Sequence, residues 1–255
     1  MDLGLADQRY LVCGASRGLG AAVARSLAAE GARVALAARA SDDLQAVAAN
    51  TRGTAVVADL SSSDGPATAV RDAVAALGGL DGLLVNSGGP PAGTFDETSE
   101  DAWRKAIDGT LLSTIRVIRE ALPHLREGRD PAIAIILSSS VREPIPALIT
   151  SNVIRPGLAG LVKTLVGEIA PIRINGLAPG RFGTDRIKQL DAKRAADQGT
   201  TVEEVGRQTL ARIPLGRYGD PEELGRVAAF LLSPAASYLT GVIVPVDGGM
   251  IRSLP

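Results

Sequence analysis

The feature that most restricts the fold is a rhythm of short apolar runs separated by longer Ala- and Leu-rich stretches. Runs of this kind occur at Arg9–Cys13, Arg33–Ala37, Thr54–Ala58, Gly82–Asn86, Ala132–Leu137, Ile172–Leu177 and Val242–Val246. Several lack the polar alternation of a half-exposed strand, as expected of strands covered on both faces. Between them the period changes to that of a helix. Leu19–Glu30 carries Val23 and Leu27 at an i, i+4 spacing and stops at Gly31, a C-terminal cap signal. Ser41–Asn50 opens with Ser-Asp-Asp, a capping hydroxyl followed by acids at the positive end of the helix. Ser63–Leu77, Ser99–Leu122, Ser151–Glu168 and Asp220–Leu231 read as further helices. Pro66, Pro156 and Pro221 lie near helix starts, where a missing N–H is least harmful. Seven strands with intervening helices predict an α/β fold in one domain spanning residues 1–255, a doubly wound parallel sheet flanked by helices.

One segment breaks the rhythm. Gly183–Ile213 is rich in Arg, Lys, Asp, Gln and Thr and is too long for an ordinary connection. Its place after a strand's carboxyl end predicts a mobile lid, with a disordered insert as the alternative. Composition removes several function classes. The 27 basic and 28 acidic side chains leave a formal charge of −1, so nothing suggests a nucleic-acid or membrane surface. Aromatics are only 3%, which leaves the core to Ala, Val, Leu and Ile. A single cysteine excludes an internal disulfide, and a zinc site or a Ser-His-Asp triad would require the sole histidine, His124. No 18-residue apolar stretch or secretory leader is evident, so a soluble, cytoplasmic protein is expected.

The first strand runs into Gly14-Ala15-Ser16-Arg17-Gly18-Leu19-Gly20 and directly on into a helix. Glycines allow a tight turn and close approach to a pyrophosphate, which the free N–H groups of the helix start stabilise. The spacing is G-x-x-x-G-x-G, not the G-x-G-x-x-G of many dinucleotide folds. At the end of the second strand, an NAD-selective site would place an acid on the ribose 2′-hydroxyl. This chain has Ala38-Arg39 there and no acid before Asp42. Arg39 with Arg17 would instead clamp a 2′-phosphate, favouring NADP(H) over NAD.

With these residues in place the chain resembles the short-chain dehydrogenase/reductase family, most closely its 3-oxoacyl-[acyl-carrier-protein] reductase branch, over nearly its whole length. Beyond the glycine turn, Asp59-Leu60 resembles the family's adenine-contacting pair. Asn86-Ser87-Gly88-Gly89 resembles its Asn-Asn-Ala-Gly segment, and Pro179-Gly180 with Thr184 its element near the nicotinamide and pyrophosphate. Ile213–Arg217 and Val246–Gly249 match family segments near the C-terminus. The resemblance implies a Rossmann fold, bound NADP(H), a small-molecule carbonyl or alcohol substrate, and a homodimer or homotetramer.

It also locates a departure. Members reduce a carbonyl with Ser, Tyr and Lys assisted by Asn, the Tyr and Lys lying in a Tyr-x-x-x-Lys motif. Aligned on Pro156–Lys163, the Tyr position holds Ser151 and the Lys position Arg155; the family's Asn position holds Thr110, and its Ser is placed at Ser139. A tyrosine hydroxyl, with a pKa of about 10, can be activated by a neighbouring ammonium, whereas a serine hydroxyl is a far weaker acid. Arginine cannot release its proton, although its planar fork still holds hydroxyls or a carboxylate. Glu143 is a candidate proton source. Tyr10, Tyr218, Tyr238, Cys13 and His124 read as structural, and Lys163 lies two turns past Arg155. The run Arg142–Ile149 reads as a pocket wall or a subunit contact. Three readings follow: an NADPH-dependent oxidoreductase with an atypical catalytic set, a catalytically silent nucleotide-binding module, and a redox-neutral reaction on a nucleotide scaffold.

Overall fold

A computed structural model describes residues 2–253. Seven strands form one sheet in the order β3-β2-β1-β4-β5-β6-β7, all parallel. They are β1 (Arg9–Cys13), β2 (Arg33–Ala38), β3 (Thr54–Val57), β4 (Gly82–Val85), β5 (Ala132–Ile136), β6 (Arg173–Pro179) and β7 (Ile243–Val246). The helices are α1 (Gly18–Ala29), α2 (Asp42–Thr51), α3 (Gly65–Leu77), α4 (Glu100–Ala106), α5 (Ser113–Arg126), α6 (Ile149–Glu168), α7 (Asp185–Gln198), α8 (Val202–Leu210) and α9 (Pro221–Leu232). The seven expected strands are all present, with ends moved by a residue or two.

Two cores explain the unbroken apolar runs. Because side chains alternate across a strand, Leu11 and Cys13 join Ile133 and Ile135 on the face covered by α3, α5 and α6. Tyr10 and Val12 join Val34, Leu36, Ala134 and Ile136 on the face covered by α1, α2 and α9. All five residues of β5 are buried. Every strand points its carboxyl end to one edge. The chain order reverses between β1 and β4, and a crevice opens at that edge where the switch occurs.

Local signals mostly act as the chemistry requires. Ser41 Oγ accepts from Leu44 N at 3.2 Å and caps α2, with Asp42 and Asp43 in the first turn. Gly31 takes φ +82° just past α1. Pro66 and Pro221 occupy the first turns of α3 and α9. Pro156 departs from expectation. It lies well inside α6, which begins at Ile149. Pro156 and Gly157 are on the exposed face of the helix, so water can serve the carbonyl that loses its partner.

Two further expectations change. The helix expected over Ser99–Leu122 is interrupted by a π-helical turn, Ile107–Leu112, between α4 and α5. Gly109 weakens the helix there. The Ser113 and Thr114 hydroxyls donate back to the Gly109 and Thr110 carbonyls at 2.9 and 2.7 Å, competing with the main-chain ladder. The alternative of a disordered insert at Gly183–Ile213 is overturned. The segment is the ordered helix pair α7 and α8, whose starts are capped by the Thr184 and Thr201 hydroxyls.

Candidate functional site

The strand ends converge on a cleft of about 1050 Å³. Its nucleotide-like end is set by β1. The Gly14 carbonyl accepts from Asn86 Nδ2 at 3.1 Å, tying the turn after β1 to the end of β4. No side chain larger than hydrogen fits at Gly20, where a Cβ would lie 2.2 Å from the Gly14 oxygen. At Gly18, with φ +59°, the nearest atom to a Cβ position is 3.7 Å away on Thr184, so the backbone stays open.

The start of α1 is uncapped. Arg17 at the cap position makes no side-chain cap bond, and no acid lies in the first turn. Its first N–H groups thus have no side-chain cap, and Gly18 and Leu19 line the cleft. Arg17 and Arg39 are exposed and line the same end. Asp59 lies beside them, its carboxyl held below the usual range mainly by the Ser61 hydroxyl and N–H, with Arg39 adding to the effect. The Ser87 hydroxyl is enclosed without a partner among the described residues and also lines the cleft. An uncapped helix start, two guanidinium groups without a carboxylate partner among the described residues and an orphaned hydroxyl fit a phosphorylated dinucleotide.

Every residue expected to contact the cofactor (Gly14, Ser16, Arg17, Gly18, Leu19, Arg39, Asp59, Leu60, Asn86, Gly88, Pro179, Gly180 and Thr184) or to form the catalytic set (Thr110, Ser139, Ser151 and Arg155) lines this cleft. Thr110 comes from the π turn, Ser139 from a short 3-10 turn (Ser139–Val141) after β5, and Ser151 and Arg155 from one face of α6. Ser151 and Arg155 are both buried, at 7% and 5% exposure. The Arg155 guanidinium donates to the Ile136 carbonyl at 2.7 Å. Burial, together with the nearby Arg186 charge, pushes its pKa down to about 10, so it stays a cation at neutral pH.

Two residues that the sequence reading left out matter here. Ser140 Oγ lies 3.3 Å from Ser151 Oγ, making Ser140 the hydroxyl that meets Ser151. Arg186, on α7, lines the cleft and donates to the Pro90 carbonyl. Its place two residues beyond Thr184 was the available signal. Glu143, Pro144, Ile145, Pro146 and Leu148 form a wall of the cleft, so the Pro-stiffened run borders the pocket.

The other candidates lie elsewhere. Cys13 is enclosed in β1, and burial pushes its thiol up to about 12. Tyr10 is buried with its hydroxyl on Gln8, and burial raises its pKa. Tyr218 donates to Asp191 at 2.9 Å. Tyr238 is fully exposed, so the expectation that it packs is corrected: its loop projects it into solvent. Lys163 faces solvent and does not line the cleft, nor does His124. No cluster of metal-ligating side chains occurs among the described residues, and no helix among them is long and apolar enough to cross a membrane.

Comparison with known proteins agrees with this geometry. The sequence model of the enoyl-(acyl carrier protein) reductase family matches residues 14–251. The 3-oxoacyl-[acyl-carrier-protein] reductase of Aquifex aeolicus is 31% identical, over 98% of this chain and 100% of that protein. The L-sorbose reductase of Gluconobacter frateurii, solved with NADPH and L-sorbose, superposes with a TM-score of 0.93 at 28% identity and complete coverage of both chains. An NADPH-bound short chain oxidoreductase of Pseudomonas aeruginosa, described as containing an atypical catalytic center, gives 0.86 at 30% identity over 98% of this chain and 99% of that one. The strand order, the glycine turn and these similarities agree: the chain belongs to the short-chain dehydrogenase/reductase family.

Proposed function

We propose that this chain is an NADPH-dependent oxidoreductase acting on a carbonyl or alcohol substrate, similar to 3-oxoacyl-[acyl-carrier-protein] reductases, with altered proton-handling residues. The observation that carries this reading is the continuity of the cleft. It joins the uncapped start of α1 and the Arg17–Arg39 pair to the hydroxyl and guanidinium groups of Thr110, Ser139, Ser151 and Arg155. The nicotinamide cofactor supplies a hydride when bound. Gly14, Ser16, Gly18 and Leu19 hold its pyrophosphate, Asp59 and Leu60 its adenine, and Asn86, Gly88, Pro179, Gly180 and Thr184 the nicotinamide side. Arg17 and Arg39 select its 2′-phosphate.

Ser139 and Thr110 orient the carbonyl oxygen or a water, and Ser151 supports that position through hydroxyl hydrogen bonds. Arg155 anchors a ribose hydroxyl or an acidic group of the substrate. The proton comes from water or from Glu143 on the facing wall, because neither Ser151 nor Arg155 releases one near neutrality. The protein acts in the cytoplasm as a homodimer or homotetramer, with the α4–α5 helix as an intersubunit face.

Equilibrium titration with NADPH and, separately, NADH tests the reading. Tight NADPH binding with weak NADH binding supports it, and binding of neither removes it. A second reading is a catalytically silent nucleotide-binding module whose ligand biases assembly or a partner contact. It is favoured by the replacement of a titratable pair with Ser151 and Arg155, and tight NADPH binding without hydride transfer to any carbonyl would select it.

A further inference from the structure

Arg155 and Arg186 approach the cleft from α6 and α7 and carry charge that the protein does not neutralise. Each guanidinium has five N–H donors. Arg155 engages the Ile136 carbonyl and Arg186 the Pro90 carbonyl, and neither makes another hydrogen bond to a described residue. Among the described residues, no carboxylate lies within 4.0 Å of either group. Other enclosed arginines are either paired or saturated: Arg173 has no carboxylate partner among the described residues but donates to the Leu231, Leu232 and Ser233 carbonyls. Arg9 is paired with Asp81 at 2.8 Å, and Arg181, which lines the same cleft, with Asp191 at 3.0 Å. Burial lowers the pKa of both Arg155 and Arg186, and Arg155 also feels the Arg186 charge. Two partly desolvated like charges facing one cavity are unfavourable until an anion enters.

The pair sits on the Ser151 side of the cleft, Arg186 being close enough for its charge to act on Arg155. Arg155 is anchored at the carboxyl end of β5, on the same helix face as Ser151. The Arg186 Nε lies 3.2 Å from where a Cβ of Gly89 would sit, so the guanidinium rests against Gly89 and the Pro90 carbonyl. Pro144 and Ile145 add apolar surface to the cleft, next to Glu143, whose carboxylate lies more than 4.0 Å from either guanidinium. We propose that Arg155 and Arg186 together hold a carboxylate of the substrate, so that the enzyme takes an oxo acid and returns a hydroxy acid. This rests on the oxidoreductase reading and names its substrate class. In the step, the carbonyl carbon gains a hydride as the dihydronicotinamide is oxidised, the carbonyl π bond breaks, and the oxygen gains a proton from water. The carboxylate stays unchanged, its planar oxygens matched to guanidinium forks.

The test uses calorimetric titration of the protein saturated with NADP⁺, which cannot reduce a ketone. Pyruvate, acetoacetate and levulinate are each compared with their methyl esters, which keep the carbonyl and remove the charge. At least one acid is expected to bind tenfold or more tightly than its ester. Arg186→Gln should reduce that preference to less than threefold while its NADPH affinity stays within threefold of wild type. Arg155→Lys, which keeps the charge but not the fork, should retain part of the preference; Arg155→Met should remove it in protein shown to be folded by thermal unfolding. Equal binding of acid and ester in all three pairs, no binding of any acid, or an Arg186→Gln variant that loses NADPH rather than the acid would overturn the assignment. Those results leave wild-type NADPH binding and NADPH-dependent carbonyl reduction standing, whereas failure of the oxidoreductase reading would appear as loss of NADPH binding or as binding without hydride transfer to any carbonyl.

Discussion

The hydroxyl oxygens of Ser140 and Ser151 lie 3.3 Å apart, joining the turn after β5 to the first turn of α6. Two hydroxyls at that distance share a hydrogen bond, but neither ionises near neutral pH, so the pair orients a ligand better than it protonates one. The double replacement Ser151→Tyr with Arg155→Lys introduces an acid and an amine that can activate it. Carbonyl-dependent oxidation of NADPH is expected to rise by about 10²- to 10⁴-fold. A new ionisation should also enter the pH–rate profile. Unchanged rates in folded double variant would mean that the cleft is shaped for different work.

Arg39 stands exposed at the rim of the phosphate end, where an acid would select the unphosphorylated ribose. Arg39→Ala should weaken NADPH by about 10- to 100-fold, the loss of one or two charge-assisted bonds to a phosphate. NADH affinity should change little. Fluorescence titration of both nucleotides reads this directly, and parallel losses would remove Arg39 from phosphate recognition.

Asp81 is a structural acid at the other end of the sheet. Its enclosed carboxylate accepts from Arg9 N, Nε and Nη2 and from Arg129 N, at 2.7 to 2.9 Å. Burial alone would raise its pKa, but the Arg9 side chain and the two backbone donors pull it below the usual carboxylate range. A depressed folded value means that the stabilisation is complete above the unfolded pKa of about 4 and drains as pH falls through the folded value. Asp81→Asn is expected to destabilise the protein by about 3 kcal/mol at neutral pH. Urea unfolding over a pH series should show the gap between variant and wild type narrowing below about pH 4. A gap independent of pH would assign the effect to packing instead.

Arg173 closes the carboxyl end of α9. Its guanidinium donates to the Leu231, Leu232 and Ser233 carbonyls at 2.8, 3.2 and 2.9 Å, serving groups that a helix end leaves without partners. Burial lowers its pKa, yet the carbonyls fix it in place. Arg173→Met keeps much of the volume and strands those oxygens, with an expected loss of about 2–3 kcal/mol in urea unfolding. A loss below about 0.5 kcal/mol would show that water replaces the guanidinium.

The parts of this fold that were legible in the sequence are those governed by burial on both sides of a sheet. Ile133–Ile136 could hardly be anything but a covered strand, and the glycines from Gly14 to Gly20 announced a turn where backbone meets backbone. What escaped was decided by local competition or by tertiary position. The π turn at Ile107–Leu112 depends on the Ser113 and Thr114 hydroxyls bonding backwards, which periodicity does not reveal. Pro156 sits mid-helix because its face is wet. Ser140 was passed over because three consecutive serines look alike until the turn aims each in a different direction. Arg186 was lost in a polar segment whose charges mostly face solvent, and only the docking of α7 brings it to the cleft.

The parallel sheet has a consequence for how such a protein can change. The turns after β1, β2 and β3 carry Arg17, Arg39 and Asp59, while the π turn after α4, the turn after β5 and the first turns of α6 carry Thr110, Ser139, Ser151 and Arg155. The two sets follow different strands, and the buried ladders between them do not sense what is written at the tips. A mutation in one set of tips can therefore replace one chemistry with another without unsettling its neighbour. The sheet behaves as a rack of interchangeable tools, and an intact phosphate end implies little about the tool fitted at the other.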